Sequence, residues 1–190
     1  MPYIKFVNEE NGQRYDTEDS IYNLAAYIFN ICKTTCDETR PGHMIGDFVG
    51  CSHFFGSEVQ EKQEDLVAMQ MIANNRAYGK CHNNLIKHRI ITFRDLDFIL
   101  PNEAFDLARY AANAYGEKYM TAFGVHMDTK QIHIHLMINA ISWRDGGRFS
   151  QSFELKWLQS MVGSWLNKRD ESQMLNPYEV ERCLKYYGVG

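Results

Sequence analysis

Gly124-Val125-His126-Met127-Asp128-Thr129-Lys130-Gln131-Ile132-His133-Ile134-His135-Leu136-Met137-Ile138-Asn139 is the stretch on which the fold turns. With a period of two, Ile132, Ile134, Leu136, Ile138 and Ala140 fall on one strand face, and His133, His135, Met137 and Asn139 on the other. The first face is apolar and suits a core. The second carries two imidazoles whose Cα atoms stand roughly 6.5–7 Å apart, close enough to share one metal ion. Residues 119–126 read as a further strand, rich in aromatic and β-branched side chains. The polar Asp128-Thr129-Lys130-Gln131 link suits a hairpin that sets His126 beside His133 and His135. Three neutral imidazoles on adjacent antiparallel strands would make a half-shell that holds a divalent cation and leaves positions open for substrate. Asp128 could orient a ligand imidazole or contact the metal itself. A lone histidine here would be an ordinary polar-face residue; His-x-Asp-x4-His-x-His with a clean apolar opposite face points to a metal site.

The stretch resembles the third motif of relaxases, the DNA-nicking enzymes of conjugative and mobilisable elements within the HUH endonuclease superfamily. It is most similar to the P-type mobilisation class, whose pattern His-x-Asp-Thr-x-x-x-His-x-His-x-x-x-Asn is matched from His126 to Asn139. Every polar position and spacing agrees.

The remainder of the chain fits one globular domain: 190 residues, 45% hydrophobic and 13% aromatic, are enough for a sizeable core. Twenty basic against 24 acidic residues give a net charge of −4, unusual for a nucleic-acid binder. This balance counts against a large nonspecific basic footprint, so any DNA contact must rely on a local patch and on the metal. Five cysteines without paired metal spacing fit reduced cytosolic thiols. The absence of a signal peptide and of an apolar run of about 18 residues places the protein in the cytoplasm.

Along the chain, Tyr3–Val7 reads as a first strand. A helix starts near Asp19 or Ser20, either of which can cap it, with Ile21, Leu24, Ala25, Ile28 and Cys32 on one stripe. Tyr22 and Tyr27 flank that stripe, and the residues alone do not choose between them. Residues 43–50 hold a strand, 57–77 a helix capped by Ser57, and 85–93 another strand. A helix follows Pro101, with Ala104, Leu107, Ala108, Ala111 and Tyr115 as its stripe and Gly116 as its stop. On the strand leading to His126, Met120, Ala122 and Gly124 share its parity, and the small ones leave room above the sheet for a substrate backbone. Asp145-Gly146-Gly147 is a turn, and helices occupy 155–166 and 178–187. Strands interleaved with helices around a central hairpin imply an α+β fold, an antiparallel sheet with helices mainly on one face. The resemblance implies the ferredoxin/RRM-like palm of HUH endonucleases.

The resemblance also implies roles. Relaxases of this class place their nucleophilic tyrosine in a helix containing Tyr-Ile followed by Lys-Thr; here Tyr27-Ile28 precedes Lys33-Thr34, which selects Tyr27 over Tyr22. Gly50-Cys51 resembles a small-residue/cysteine pair at a strand end. His88 before Arg89-Ile90-Ile91-Thr92-Phe93 resembles the second motif, with Thr92 in place of serine. Arg148, Arg76, Thr92 and Asn139 are candidate DNA contacts, Asn139 lying about 13 Å along the strand from His135 and better placed to shape the site or touch DNA than to bind metal.

The implied reaction is metal-dependent, strand-specific nicking and rejoining through a 5′-phosphotyrosine. The implied substrate is single-stranded DNA beside a hairpin at an origin of transfer, and the reaction would begin conjugative transfer of a plasmid or transposon. The cofactor is Mn2+ or Mg2+ by family habit, whereas imidazole softness also suits Zn2+ or Ni2+. Accessory relaxosome proteins and a type IV secretion coupling protein are the implied partners, and the chain is read as an N-terminal nuclease domain with room for further domains beyond it. Three alternatives are discriminable. Rolling-circle initiators and single-strand transposases of the same superfamily commonly lack the first His-x-Asp. A histidine-triad hydrolase would need a third alternating histidine at Met137. A non-enzymatic DNA-binding metal module would lose nothing on Tyr27→Phe.

Overall fold

A computed structural model of the chain describes residues 2–7, 14–34, 46–49, 63–94 and 99–172. The strands are β1 (Tyr3–Val7), β2 (Gly46–Val49), β3 (Ile86–Thr92), β4 (Thr121–His126) and β5 (His133–Asn139). The helices are α1 (Glu18–Ile28), α2 (Ile31–Thr34), α3 (Gln63–Ala77), α4 (Pro101–Gly116) and α5 (Glu154–Ser172). All five strands join one antiparallel sheet in the order β1-β3-β5-β4-β2, which gives the expected α+β class. The chain falls into two compact units, Met1–Glu154 and Leu155–Gly190. Beyond that division α5 carries Leu158 and Val162, both buried and one turn apart. No described helix is long and apolar enough to cross a membrane.

The hairpin register decides which side chains meet. His126 pairs with His133, Gly124 with His135 and Ala122 with Met137. Paired residues in antiparallel strands share a face, so the three histidines stand on one side of the sheet. On the far edge of β5, Thr92 pairs with His133, Ile90 with His135 and His88 with Met137. The polar side of β3 therefore joins the histidine face.

Helices occupy both faces, in place of the expected one. On the histidine side the apolar stripe of α1 (Ile21, Leu24, Ala25, Ile28) packs with Val67, Met71 and Ile72 of α3 and with Ala122 and Met137 of the sheet. On the other side Phe105 of α4 meets Phe123, the partner of Leu136, with ring centroids 5.4 Å apart. The reason is β5 itself: besides its two histidines, its polar side carries Met137 and Asn139, both completely buried, so that face also needs a cover. The α4 stripe expected from the sequence is buried throughout.

Local chemistry sets the ends of α1 and α4. Thr17, and not Asp19 or Ser20, caps α1, its hydroxyl accepting from the Ser20 amide at 3.2 Å. Glu18 and Asp19 then fall in the first turn, where acidic groups complement the helix dipole. Pro101 opens α4, and the Glu103 carboxylate accepts from the Leu100 amide at 2.8 Å.

A buried ion pair fastens the α4 side. Arg89 donates twice to Glu154 at 2.8 Å, and Tyr115 donates to the same carboxylate at 2.8 Å. The Arg89 guanidinium also lies 3.9 Å from the Phe6 ring centroid. The readings for Gly50-Cys51, the Ser57 cap and the helix at 178–187 fall outside the described residues.

Candidate active site

Gly124 fixes how the site is assembled. A Cβ built there would run into the backbone carbonyl oxygen of Ile28 and lie 3.0 Å from Ile28 Cγ2. The space above Gly124 is thus filled by the end of α1 and is not open to a substrate backbone, which corrects the sequence expectation. Close approach has a product. His126 Nε2 donates to the same Ile28 carbonyl at 3.0 Å, tying the strand to the helix one residue after Tyr27.

Tyr27 consequently hangs over the histidines. Its ring sits edge-on to His126 at 5.1 Å and to His135 at 5.2 Å between centroids. Tyr27 is 40% exposed, so the ring is accessible while standing against the cluster. Tyr22, on the other flank of α1, is close enough to Arg76 to interact with its charge. Lys33 places its ammonium 5.0 Å from the Tyr27 ring centroid and donates to Asp128 at 2.7 Å. The Lys33 carbonyl accepts from the Met127 amide at 2.8 Å, so the Lys-Thr segment and the His-x-Asp segment are stitched together. Asp128 therefore pairs with Lys33 and favours its charged form, and its own carboxyl is held below the ordinary range by that hydrogen bond.

The imidazoles are neighbours: His126 and His135 are 4.3 Å apart between centroids, His133 and His135 6.4 Å. All three are kept from protonation chiefly by burial. His135 is pushed down to about 2, with the adjacent His126 and His88 adding to the effect. His126 and His133 are lowered in the same direction. Each ring has one nitrogen engaged: His126 Nε2 with Ile28, His135 Nδ1 with His88 Nε2 at 3.0 Å, and His133 Nδ1 with the Thr129 hydroxyl at 3.2 Å. Neutral imidazoles with one nitrogen tied are the donor set a divalent cation needs. The donor atoms are nevertheless not gathered into a finished shell: among the described residues no three His, Cys, Asp or Glu groups converge on a common point. Seating a cation asks the free ring nitrogens to draw closer together.

A search of curated proteins finds no match. The model of the relaxase family, described as MobA/VirD2-like, nuclease domain, matches residues 50–168, more than half of the chain. The chain belongs to the MobA/VirD2-like relaxases. It is accordingly a DNA-nicking enzyme of the HUH superfamily, acting in mobilisation, and DNA is its substrate. Relaxase nuclease domains generally use a divalent metal. The matched stretch contains all three histidines and Asp128 of this relaxase domain, while Tyr22 and Tyr27 precede it.

Other sequence candidates scatter. Thr92 stands beside His133 on the histidine face. Arg76 is engaged with Glu18 through two hydrogen bonds, and exposed Arg148 donates to the His82 carbonyl at 2.8 Å. Asn139 is completely buried and its side-chain oxygen accepts from the Ile141 amide at 3.5 Å. His88, named in the sequence only as the start of the second-motif resemblance, and Tyr15, not named at all, also take part. His88 shares parity with Thr92, a signal already present in β3, but Tyr15 precedes α1 and carries no pattern that would reveal it.

Proposed function

We propose that Tyr27 is the nucleophile of this relaxase and that His126, His133 and His135 hold the divalent cation. The observation that carries the assignment is the Tyr27 ring lodged against both His126 and His135. A cation bound by the three imidazoles would polarise the scissile phosphate and offset charge in the five-coordinate transition state. Tyr27 gives up its phenol proton and its oxygen forms a bond to phosphorus. The bond from phosphorus to the 3′ oxygen breaks, and that oxygen takes a proton to leave as a 3′-hydroxyl. Lys33, with its ammonium 5.0 Å from the Tyr27 ring centroid, supplies positive charge for the developing phenolate. Asp128 keeps Lys33 in place through their 2.7 Å pair. One phosphodiester replaces another, so the step is nearly isoenergetic and reverses to rejoin strands.

The resemblance of the His126–Asn139 stretch to the P-type motif supports, as the proposed substrate, the nick strand of an origin of transfer, single-stranded beside a hairpin. Relaxosome accessory proteins and a secretion coupling protein are its proposed partners, and the cytoplasm its place of action. Mn2+ or Mg2+ is the proposed cation, with Zn2+ or Ni2+ also compatible with imidazole donors. The test is incubation with single-stranded origin DNA and Mn2+, followed by denaturing electrophoresis. The wild type should give a slow, protease-sensitive adduct that chelator prevents. Tyr27→Phe should give none while still binding DNA and Mn2+. An adduct that survives Tyr27→Phe and disappears in Tyr22→Phe overturns the nucleophile assignment.

A further inference from the structure

Behind His135 lies a polar chain that the nicking reaction does not use directly. His88 Nε2 is 3.0 Å from His135 Nδ1, and His88 Nδ1 is 2.9 Å from the Tyr15 hydroxyl. All three members are sealed from solvent: Tyr15 is 6% exposed, His88 4% and His135 4%. The two imidazoles stack with centroids 5.3 Å apart and planes inclined by 30°, and Tyr15 meets His88 edge-on. Buried polar networks of this kind are costly unless every member is satisfied, so their presence beside a ligand asks for an explanation.

We propose that His88, backed by Tyr15, is a positioning residue that sets the tautomer of His135 for cation binding. The inference rests on the assignment of His135 as a metal ligand. Because Nδ1 of His135 faces His88, the nitrogen left for a cation is Nε2, and that nitrogen must be bare. The proton then belongs on Nδ1, which donates to His88 Nε2. His88 Nε2 must in turn be bare, so His88 carries its proton on Nδ1 and donates to the Tyr15 oxygen. Only this polarity is compatible with a loaded site. The opposite one, with Tyr15 donating to His88 and His88 to His135, leaves a proton on His135 Nε2 and blocks it. Metal-binding histidines are commonly held by a carboxylate or a carbonyl, which can only accept. Here the partner is an imidazole, which accepts only in the tautomer that carries its proton on Nδ1, and the Tyr15 oxygen, by accepting from that Nδ1, holds His88 in it. The chain held in this direction keeps His135 Nε2 bare for the cation.

The experiment is a titration of the full chain with Mn2+, comparing wild type, His88→Leu, His88→Gln and Tyr15→Phe, together with long-range 15N NMR of the Zn2+-loaded wild type. His88→Leu should weaken Mn2+ binding by about 10–100-fold, the range seen for lost partners of metal-binding histidines. His88→Gln should retain more affinity, because its amide oxygen can accept from His135 Nδ1. Tyr15→Phe, which keeps the ring and removes the acceptor for His88, should cost about fivefold or more. In the Zn2+-loaded protein the His88 proton should sit on Nδ1. Equal affinities across the four proteins, or a His88 proton on Nε2 in the loaded state, overturn the positioning role while leaving the histidine site intact. A wild type that binds no metal overturns both. If His88→Leu does not fold, Tyr15→Phe and the tautomer of the wild type decide.

Discussion

Substituting Gly124 by alanine tests how Tyr27, the proposed nucleophile, is held. The added Cβ would strike the Ile28 carbonyl oxygen, with Ile28 Cγ2 at 3.0 Å. Since an ordinary carbon–oxygen contact is roughly 3.3 Å or more, α1 must retreat from β4 by about 1 Å. Overpacking of this kind costs about 1–3 kcal/mol. Loss of the His126–Ile28 hydrogen bond, 3.0 Å long in the native chain, adds about 1 kcal/mol. The sum, about 2–4 kcal/mol, should lower the urea midpoint by about 1–2 M for an m-value near 2 kcal/mol/M. Function should suffer beyond stability. Tyr27 precedes Ile28, so it moves with the carbonyl, and a 1 Å misplacement of a reacting group can cost about 100-fold in rate. Urea unfolding gives the first quantity, and single-turnover adduct formation at a temperature where the variant is fully folded gives the second. Wild-type midpoint and wild-type rate together would refute the seating of α1 on Gly124 as the device that aims Tyr27.

Further outcomes follow from the same geometry. Glu154→Ala removes the partner of a guanidinium that is itself buried (Arg89 is 5% exposed), and should cost about 3–5 kcal/mol in denaturant unfolding with little change in adduct rate once folded. Lys33→Met should slow adduct formation while changing stability by less than about 1 kcal/mol, because its pair with Asp128 is partly exposed. The metal-free protein should lose stability in acid. His88 and His135 are depressed by burial to about 3 and about 2, below the unfolded value, so the unfolded chain binds their protons first. Stability from these groups is complete above an ordinary imidazole pKa of about 6.5 and falls as pH drops below it, by up to about 1.4 kcal/mol per pH unit for each histidine. Urea midpoints measured from pH 8 to pH 4 check the sign; a flat profile below pH 6 would contradict it.

Much of the fold is legible in the sequence because its signals are local. Alternation of two places β5 and its apolar side, Pro101 opens α4 at the expected residue, and Ile21, Leu24, Ala25 and Ile28 of the expected stripe are buried in α1 as their spacing requires. The site is legible as a set of residue types, since His-x-Asp-x4-His-x-His requires only a hairpin to bring its rings together. Long-range packing is where periodicity falls silent. The two-sided covering of the sheet depends on Met137 and Asn139 being buried, which the mixed polar face of β5 does not announce. Small Gly124 reads equally as space for substrate or as a seat for a helix, and only the register of α1 decides. Tyr15 reaches His88 across 73 residues of chain, beyond any sequence window. Asp128 bonds to Lys33, a partner 95 residues earlier, which its spacing from His126 does not announce.

The central claim is that Tyr27, poised over His126 and His135, takes the scissile phosphate. It is tested most directly by mass spectrometry of the trapped protein–DNA adduct after protease and nuclease digestion. The account predicts a nucleotide mass on the peptide containing Tyr27, formed only with added divalent metal and absent when His135 is replaced by alanine. The same mass on the Tyr22 side of that peptide, or on no tyrosine at all, would contradict it.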